Sequence, residues 1–323
     1  MIMSFVFLNL FALAAGYVIP FEYEAGRPYV HGTYENISTI SNISVRMFLH
    51  FDTRSWAELD WDPFGGFDAD SGVNFATIGS VNLRDIHDNL RYAFTDRQFG
   101  IHNFLPGNSL SKGYMGLGPS SAFLNESRGS LSFVVHSPDR GLLLVGYPED
   151  RFTSLCSNNT LFTTPFLPPQ PGPMRSRKLQ GRLVLLDSST GARIEYPGNS
   201  RISHSHIQIV PERMLISRPM YRVIRDMVPE LSNDNFFDNC EYIRSILPVI
   251  SIELQTNDSQ VAGTILFYPT DYALKQNEQS DVCVLQVGPS VIDGYVAFDP
   301  LLLPETNIRI TDTNISFCDS LYH

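Results

Sequence analysis

Short apolar runs rich in β-branched and aromatic residues, each closed by Gly, Pro, Asn or Asp, recur along the chain and constrain its fold most strongly. They read "ISVRMFLHF", "GSLSFVVHS", "GLLLVGY", "GRLVLLD", "SHIQIVP", "LPVISIEL", "AGTILFYP", "VCVLQVG" and "TNISFC". Runs of this length between turn residues are strands, so a mostly antiparallel all-β protein is predicted. Helical signals are few. The best is "SRPMYRVIRDMVPEL", where Met220, Val223, Ile224 and Met227 recur at helical spacing after Ser217 and Pro219.

With 323 residues the chain can build two lobes of roughly 150 residues, each with its own core. The stretch 163–180, "TTPFLPPQPGPMRSRKLQ", carries five prolines and reads as an extended linker. It would divide an N-terminal β lobe, 17–162, from a C-terminal β lobe, 181–323. Arg175, Arg177 and Lys178 within it read as solvated linker charges, with a processing site as the alternative.

Residues 1–16 begin "MIMSFVFLNLFALAAG", with small residues at Ala12, Ala14, Ala15 and Gly16 suited to signal-peptidase cleavage. A signal peptide over 1–16 and a secreted, extracellular protein are therefore expected; the other reading is an uncleaved anchor. Sequons at Asn36, Asn42, Asn125, Asn158, Asn257 and Asn314 agree with glycosylation in the secretory pathway. Four cysteines, Cys156, Cys240, Cys283 and Cys318, fit two disulfides in an oxidising compartment. They form no C-x-x-C pair, and His204 and His206 share a strand face without a third ligand, so no metal and no cofactor are expected. A net charge of −11 without a basic cluster argues against nucleic acid and, once the signal is removed, against a membrane surface.

Two segments share one design, an apolar strand followed by Asp and hydroxyl or turn residues: "MFLHFDTRS" around Asp52 and "RLVLLDSSTG" around Asp187. A lone Asp after a strand often caps a turn. Two of them, in separate halves, suggest a duplicated lobe. His50, beside the first, reads as a bystander on its strand.

With these segments the chain resembles the pepsin-like aspartic peptidases from about residue 29 onward. In that family each lobe supplies an Asp-Thr-Gly-Ser/Thr loop, and the two carboxylates share a proton and activate water. "FDTRSW" is similar to the first loop, with Thr53 kept and Arg54 in the glycine place. "LLDSSTG" is similar to the second, with Ser188 for Thr and Ser189 for Gly. "KGYMGLGPSSAF", "GSLSFVVHSPDRGLLLVGYPEDRF" and "CEYIRSILPVISIEL…TILFYPTDYAL…VC" resemble further family segments in the right order. The resemblance implies a bilobal pepsin-like fold and a Cys240–Cys283 bridge, which leaves Cys156 with Cys318.

Departures from the family pattern bear on activity. Glycine lets backbone N–H groups approach the carboxylate, whereas Arg54 brings a side chain and a cation that favours ionising both acids. The stretch from Trp61 to Thr77 has no tyrosine for a covering hairpin, and "SVIDGYVAFDP" puts Asp293 in a glycine slot. Asp52 lies 36 residues past Gly16 (52 minus 16), so a long inhibitory prosegment is not expected. The expectation is a monomeric pepsin-like protein, catalytically impaired, with Asp52 and Asp187 as a vestigial pair and a peptide or protein ligand in the inter-lobe cleft. The alternative is an aspartic endopeptidase using Asp52 and Asp187; a structural surface glycoprotein is a third class.

Overall fold

A computed structural model of the chain describes residues 16–24, 27–36, 41–50, 57–60, 74–75, 79–94, 99–102, 112–117, 123, 129–137, 139–157, 160–168, 177–194, 207–209, 214–228, 236–256, 258, 260–275, 281–290, 296–298, 303 and 305–321. The chain divides into two units. The first comprises Met1–Leu161 with Glu305–His323, the second Phe162–Pro304.

Strands β1 (Tyr17–Glu24), β2 (Arg27–Asn36), β3 (Ser41–His50), β4 (Ala57–Asp60), β5 (Asn74–Phe75), β6 (Gly79–Arg84), β7 (Leu90–Phe94), β8 (Phe99–His102), β9 (Lys112–Gly116), β10 (Ser130–Ser137) and β11 (Arg140–Val145) precede helix α1 (Glu149–Thr153) in the first unit. Two C-terminal strands, β24 (Thr306–Thr311) and β25 (Asn314–Asp319), complete it. Their order is β25-β24-β10-β11-β1-β2-β3-β9-β4-β8-β5, with the β6–β7 hairpin attached to β2. Alternate residues on β10, β11 and β1 bury Leu131, Phe133, Leu143, Val145, Ile19 and Phe21, all at most 1% exposed. Phe21 packs edge-on to Phe133 with centroids 6.0 Å apart. Its ring also occupies the place where a side chain at Gly141 would sit, 2.4 Å from an added Cβ, so this register requires glycine there.

The sequence reading assigns 305–323 to the second lobe, but the structure joins them to the first unit. The cause is pairing: β24 lies antiparallel to β10, with Leu131 opposite Ile310 and Phe133 opposite Ile308. Beyond that point β10 bulges between Val135 and Ser137. Side chains take over from the ladder there. The Val135 N–H donates to Asn307 Oδ1 at 2.9 Å, and the Ser320 hydroxyl donates to the Val135 carbonyl at 2.8 Å. Asn307, fully buried, uses its amide to donate to the Leu155 carbonyl at 2.9 Å. Val135, Asn307 and Ser320, buried at this seam, therefore all have partners.

The second unit contains β12 (Phe162–Pro165), β13 (Lys178–Leu179), β14 (Gly181–Leu186), β15 (Ile207–Ile209), β16 (Met214–Ile216), helix α2 (Arg218–Met227), β17 (Phe236–Phe237), helix α3 (Cys240–Ile246), β18 (Val249–Gln255), β19 (Val261–Phe267), helix α4 (Pro269–Tyr272), β20 (Ala273–Lys275), β21 (Cys283–Leu285), β22 (Val287–Pro289) and β23 (Val296–Phe298). They form sheets of order β13-β15-β23-β16-β22, β14-β18-β19 and β17-β21-β20. The predicted helix forms as α2, burying Met220, Tyr221 and Ile224. The stretch 163–180 is more than a linker, since β12 and β13 occupy its ends. Arg177 is not a solvated charge: it is 4% exposed, with its guanidinium 4.7 Å above the Phe166 ring.

The same four-strand motif occurs in both units. In the first, β9 lies between β3 and β4, parallel to β3 and antiparallel to β4, and β8 runs parallel to β4. In the second, β23 lies between β15 and β16 with the same directions, and β22 runs parallel to β16.

Disulfides join Cys156 to Cys318 within the first unit and Cys240 to Cys283 within the second, closing separations of 162 and 43 residues. Loop-closure entropy puts their contributions at about 5 and about 4 kcal/mol respectively. The Cys156→Ser/Cys318→Ser variant is expected to lose more stability in guanidinium unfolding than Cys240→Ser/Cys283→Ser. Equal or reversed losses would mean that the seam around Asn307 holds β24 and β25 without help from the bridge.

Candidate functional site

Asp187 follows β14, whose Leu183 and Leu185 are buried and fix the strand in place. The chain then reverses at once. Asp187 N–H donates to the Ala192 carbonyl and Gly191 N–H to the Asp187 carbonyl, both at 2.8 Å, while Gly191 takes a left-handed φ of 67°. Leu186 thereby bridges Arg193 across the turn.

One oxygen of the Asp187 carboxylate closes that turn. Its Oδ1 accepts from Ser189 N–H at 3.1 Å, Ser189 Oγ at 2.6 Å, Thr190 N–H at 2.8 Å and Thr190 Oγ1 at 2.8 Å. The Ser189 hydroxyl, followed by the hydroxyl and N–H of Thr190, lowers its pKa to about 2. All four donors come from the two residues that follow it, so the carboxylate is engaged by its own turn. Its chemistry here is that of a turn cap.

Nor does Asp187 occupy the place corresponding to Asp52. Residues 51–56, which include Asp52, Thr53 and Arg54, lie outside the described residues, but they connect β3 to β4 in the repeated motif. Their counterpart in the second unit is 210–213, also outside the described residues, which connects β15 to β16. Strand register aligns the two connections. His50 pairs with Gly116, the first residue of β9 past its last partner in β4; Ile209 pairs with Phe298, the first residue of β23 past its partner in β16. Asp52 stands two residues after His50, and Pro211 stands two residues after Ile209. Counted from the ends of β3 and β15, "FDTRS" matches "VPERM", with Pro211 for Asp52, Glu212 for Thr53 and Arg213 for Arg54; counted from either end, 210–213 offers no Asp. The pairing of Asp187 with Asp52, and of Ser188 and Ser189 with Thr53 and Arg54, is corrected accordingly: all three belong to a surface hairpin.

Sequence reasoning passed over "IQIVPERMLIS" because it contains no Asp. The signal in it was an apolar strand, a short polar break and a second apolar run leading into α2.

Asn36 ends β2, Asn42 lies on β3 and Asn314 begins β25, so three sequons fall at hairpin ends. Asn125, Asn158 and Asn257 lie outside the described residues, as do His204, His206 and Asp293. Among the described residues no group of three or more His, Cys, Asp or Glu is placed to hold a metal, and no helix is long and apolar enough to cross a membrane.

No protein-family model matches the chain, and no curated protein matches it. Among solved structures it is similar to basic 7S globulin from soybean, with a TM-score of 0.60 over 96% of each chain at 10% identity. The fold is all-β and pepsin-like. At that identity the likeness speaks to fold alone, and the chemistry rests on the residues.

The Asp187 turn predicts a pH signature. The folded pKa of about 2 lies below the unfolded value of 3.8, so the stabilisation is complete above pH ~4 and is lost as pH falls through the folded value. In Asp187→Asn the fall in stability between pH 4 and pH 2 should be shallower than in the parent chain, as read by urea midpoints. An NMR titration placing Asp187 at or above pH 4 would contradict the turn-cap assignment.

Proposed function

We propose that the chain is a secreted, glycosylated pepsin-like protein without peptidase activity, acting by binding a peptide or protein segment. One observation carries the loss of activity. The second-unit connection equivalent to that of Asp52 reads Val-Pro-Glu-Arg, with proline at the carboxylate position.

Aspartic peptidase chemistry needs two carboxylates sharing one proton across an attacking water. Asp52 alone supplies one. Arg54 and Arg213 stand at the two glycine places, and each adds a cation that favours an ionised acid over a shared proton. The rival reading, an endopeptidase working through Asp52 and Asp187, lacks its second acid because Asp187 caps a hairpin. Signal-like residues 1–16, the sequons and the disulfides support secretion. A pepsin-like fold that has lost its chemistry can keep its capacity to bind an extended chain, which is why a peptide-like ligand is favoured.

The purified protein is expected to show no pepstatin-sensitive cleavage of unfolded protein across roughly pH 3–6, where carboxylates titrate. Asp52→Asn should leave this baseline unchanged. Cleavage that disappears in Asp52→Asn would overturn the proposal. Installing Pro211→Asp with Arg54→Gly and Arg213→Gly should return at most trace activity, because catalytic groups act as a unit. Ser189→Gly, on the hairpin, should return none.

A further inference from the structure

A cavity of about 390 Å³ opens on the second unit, beside the Asp187 turn and away from the connections 51–56 and 210–213 in sequence. That volume lies within the range of small-ligand clefts, roughly 300–1,000 Å³. Ser188 and Ser189 line one side; Arg244 and Ser245 of α3, with Tyr268 and Thr270 around α4, line the rest. Tyr268 is 52% exposed, an uncovered aromatic ring at the mouth of a cavity with Val249 and Pro269 among its apolar walls.

The hydrogen bonds already made here define what a ligand must bring. Ser189 Oγ donates to Asp187, Ser245 Oγ donates to the Tyr242 carbonyl at 2.7 Å, and Thr270 Oγ1 donates to Asp271 at 3.4 Å. With their protons committed, these hydroxyls present oxygen lone pairs. Arg244 donates through Nε to the Ala273 carbonyl at 2.9 Å and through Nη1 to Glu241 at 3.4 Å, which leaves further guanidinium N–H groups as donors.

Charge disfavours both ionic classes of ligand. Glu241 also lies 3.3 Å from Lys275, and Asp271 accepts from Tyr268 N–H, so Asp187, Glu241 and Asp271 oppose Arg244 and Lys275. A phosphate or carboxylate would find no uncompensated cation. A cationic ligand would find each carboxylate already engaged, Asp187 by its own turn, Glu241 by Arg244 and Lys275, and Asp271 by the Tyr268 N–H. The remaining class is neutral, carries many hydroxyls that both donate and accept, and has an apolar C–H face for the tyrosine ring.

We propose that this cavity is a saccharide-binding subsite, with one sugar ring against Tyr268 and its hydroxyls directed to Ser188, Ser189, Ser245, Thr270 and Arg244. It is independent of the peptide-binding reading above, and its failure would leave that reading intact.

The test titrates the full secreted protein with maltotriose, mannotriose, N-acetylchitotriose and inorganic phosphate, following backbone amide shifts. At least one saccharide is expected to bind with a Kd on the order of 1 mM, with shifts centred on residues 188–189, 244–249 and 268–270. Tyr268→Ala and Thr270→Val should each weaken it, the first by about tenfold or more, while Leu266→Ser, on the exposed side of β19, should not. Both variants change exposed side chains, and their amide spectra report folding directly. The proposal is overturned if no saccharide binds by about 20 mM, if binding survives both variants unchanged, or if phosphate binds these residues in preference.

Discussion

The placement of one strand between two others that are joined by a short connection governs the architecture of each unit. β9 separates β3 from β4, and β23 separates β15 from β16. Adjacent strands lie roughly 4.8 Å apart, so in each unit the central strand holds two strands that are consecutive in the chain about 10 Å apart. Burial fixes the central strands: Met115, Val296, Ala297 and Phe298 have no exposed surface. A site built on such connections can be dismantled by changing one or two residues without disturbing the strands.

The first unit depends on its C-terminal strands in a different way. β24 covers β10, which would otherwise present an unpaired edge beside a bulge. Asn307 and Ser320 satisfy Val135 there, and the Cys156–Cys318 bridge anchors β25 to the segment after α1. Unit 1 is therefore assembled from both ends of the chain. Its cooperativity couples residues more than a hundred positions apart, an arrangement that folds slowly and gains most from a covalent closure.

A strand followed by Asp has two physical meanings, and Asp187 illustrates how they separate. As a turn cap the carboxylate collects nearby N–H and hydroxyl donors and stays ionised; as half of a catalytic pair it must share a proton. Both uses favour Asp followed by hydroxyl residues, which is why "LLDSSTG" resembles an active-site loop. What differs is where the chain goes next. After Asp187 it returns along its own strand, pairing Leu186 with Arg193. After Ile209 it moves on to β16 and α2. Local composition could not distinguish these paths.

The sequence by itself determined the all-β class, the position of helix α2 and the resemblance to a two-lobed pepsin-like fold, because those follow from periodicity, turn residues and ordered motifs. It also determined that Arg54 stands in a glycine place, since that is a matter of residue identity. The paired disulfides agree with the bridge the resemblance implied and with the remaining pair. Tertiary structure alone decided that β24 and β25 belong to the first unit, that Arg177 is buried over Phe166, and that Asp187 closes a hairpin after β14. Each of these depends on which strand lies beside which. Strand pairing is set by long-range burial and register, and no short stretch of chain encodes its own neighbour.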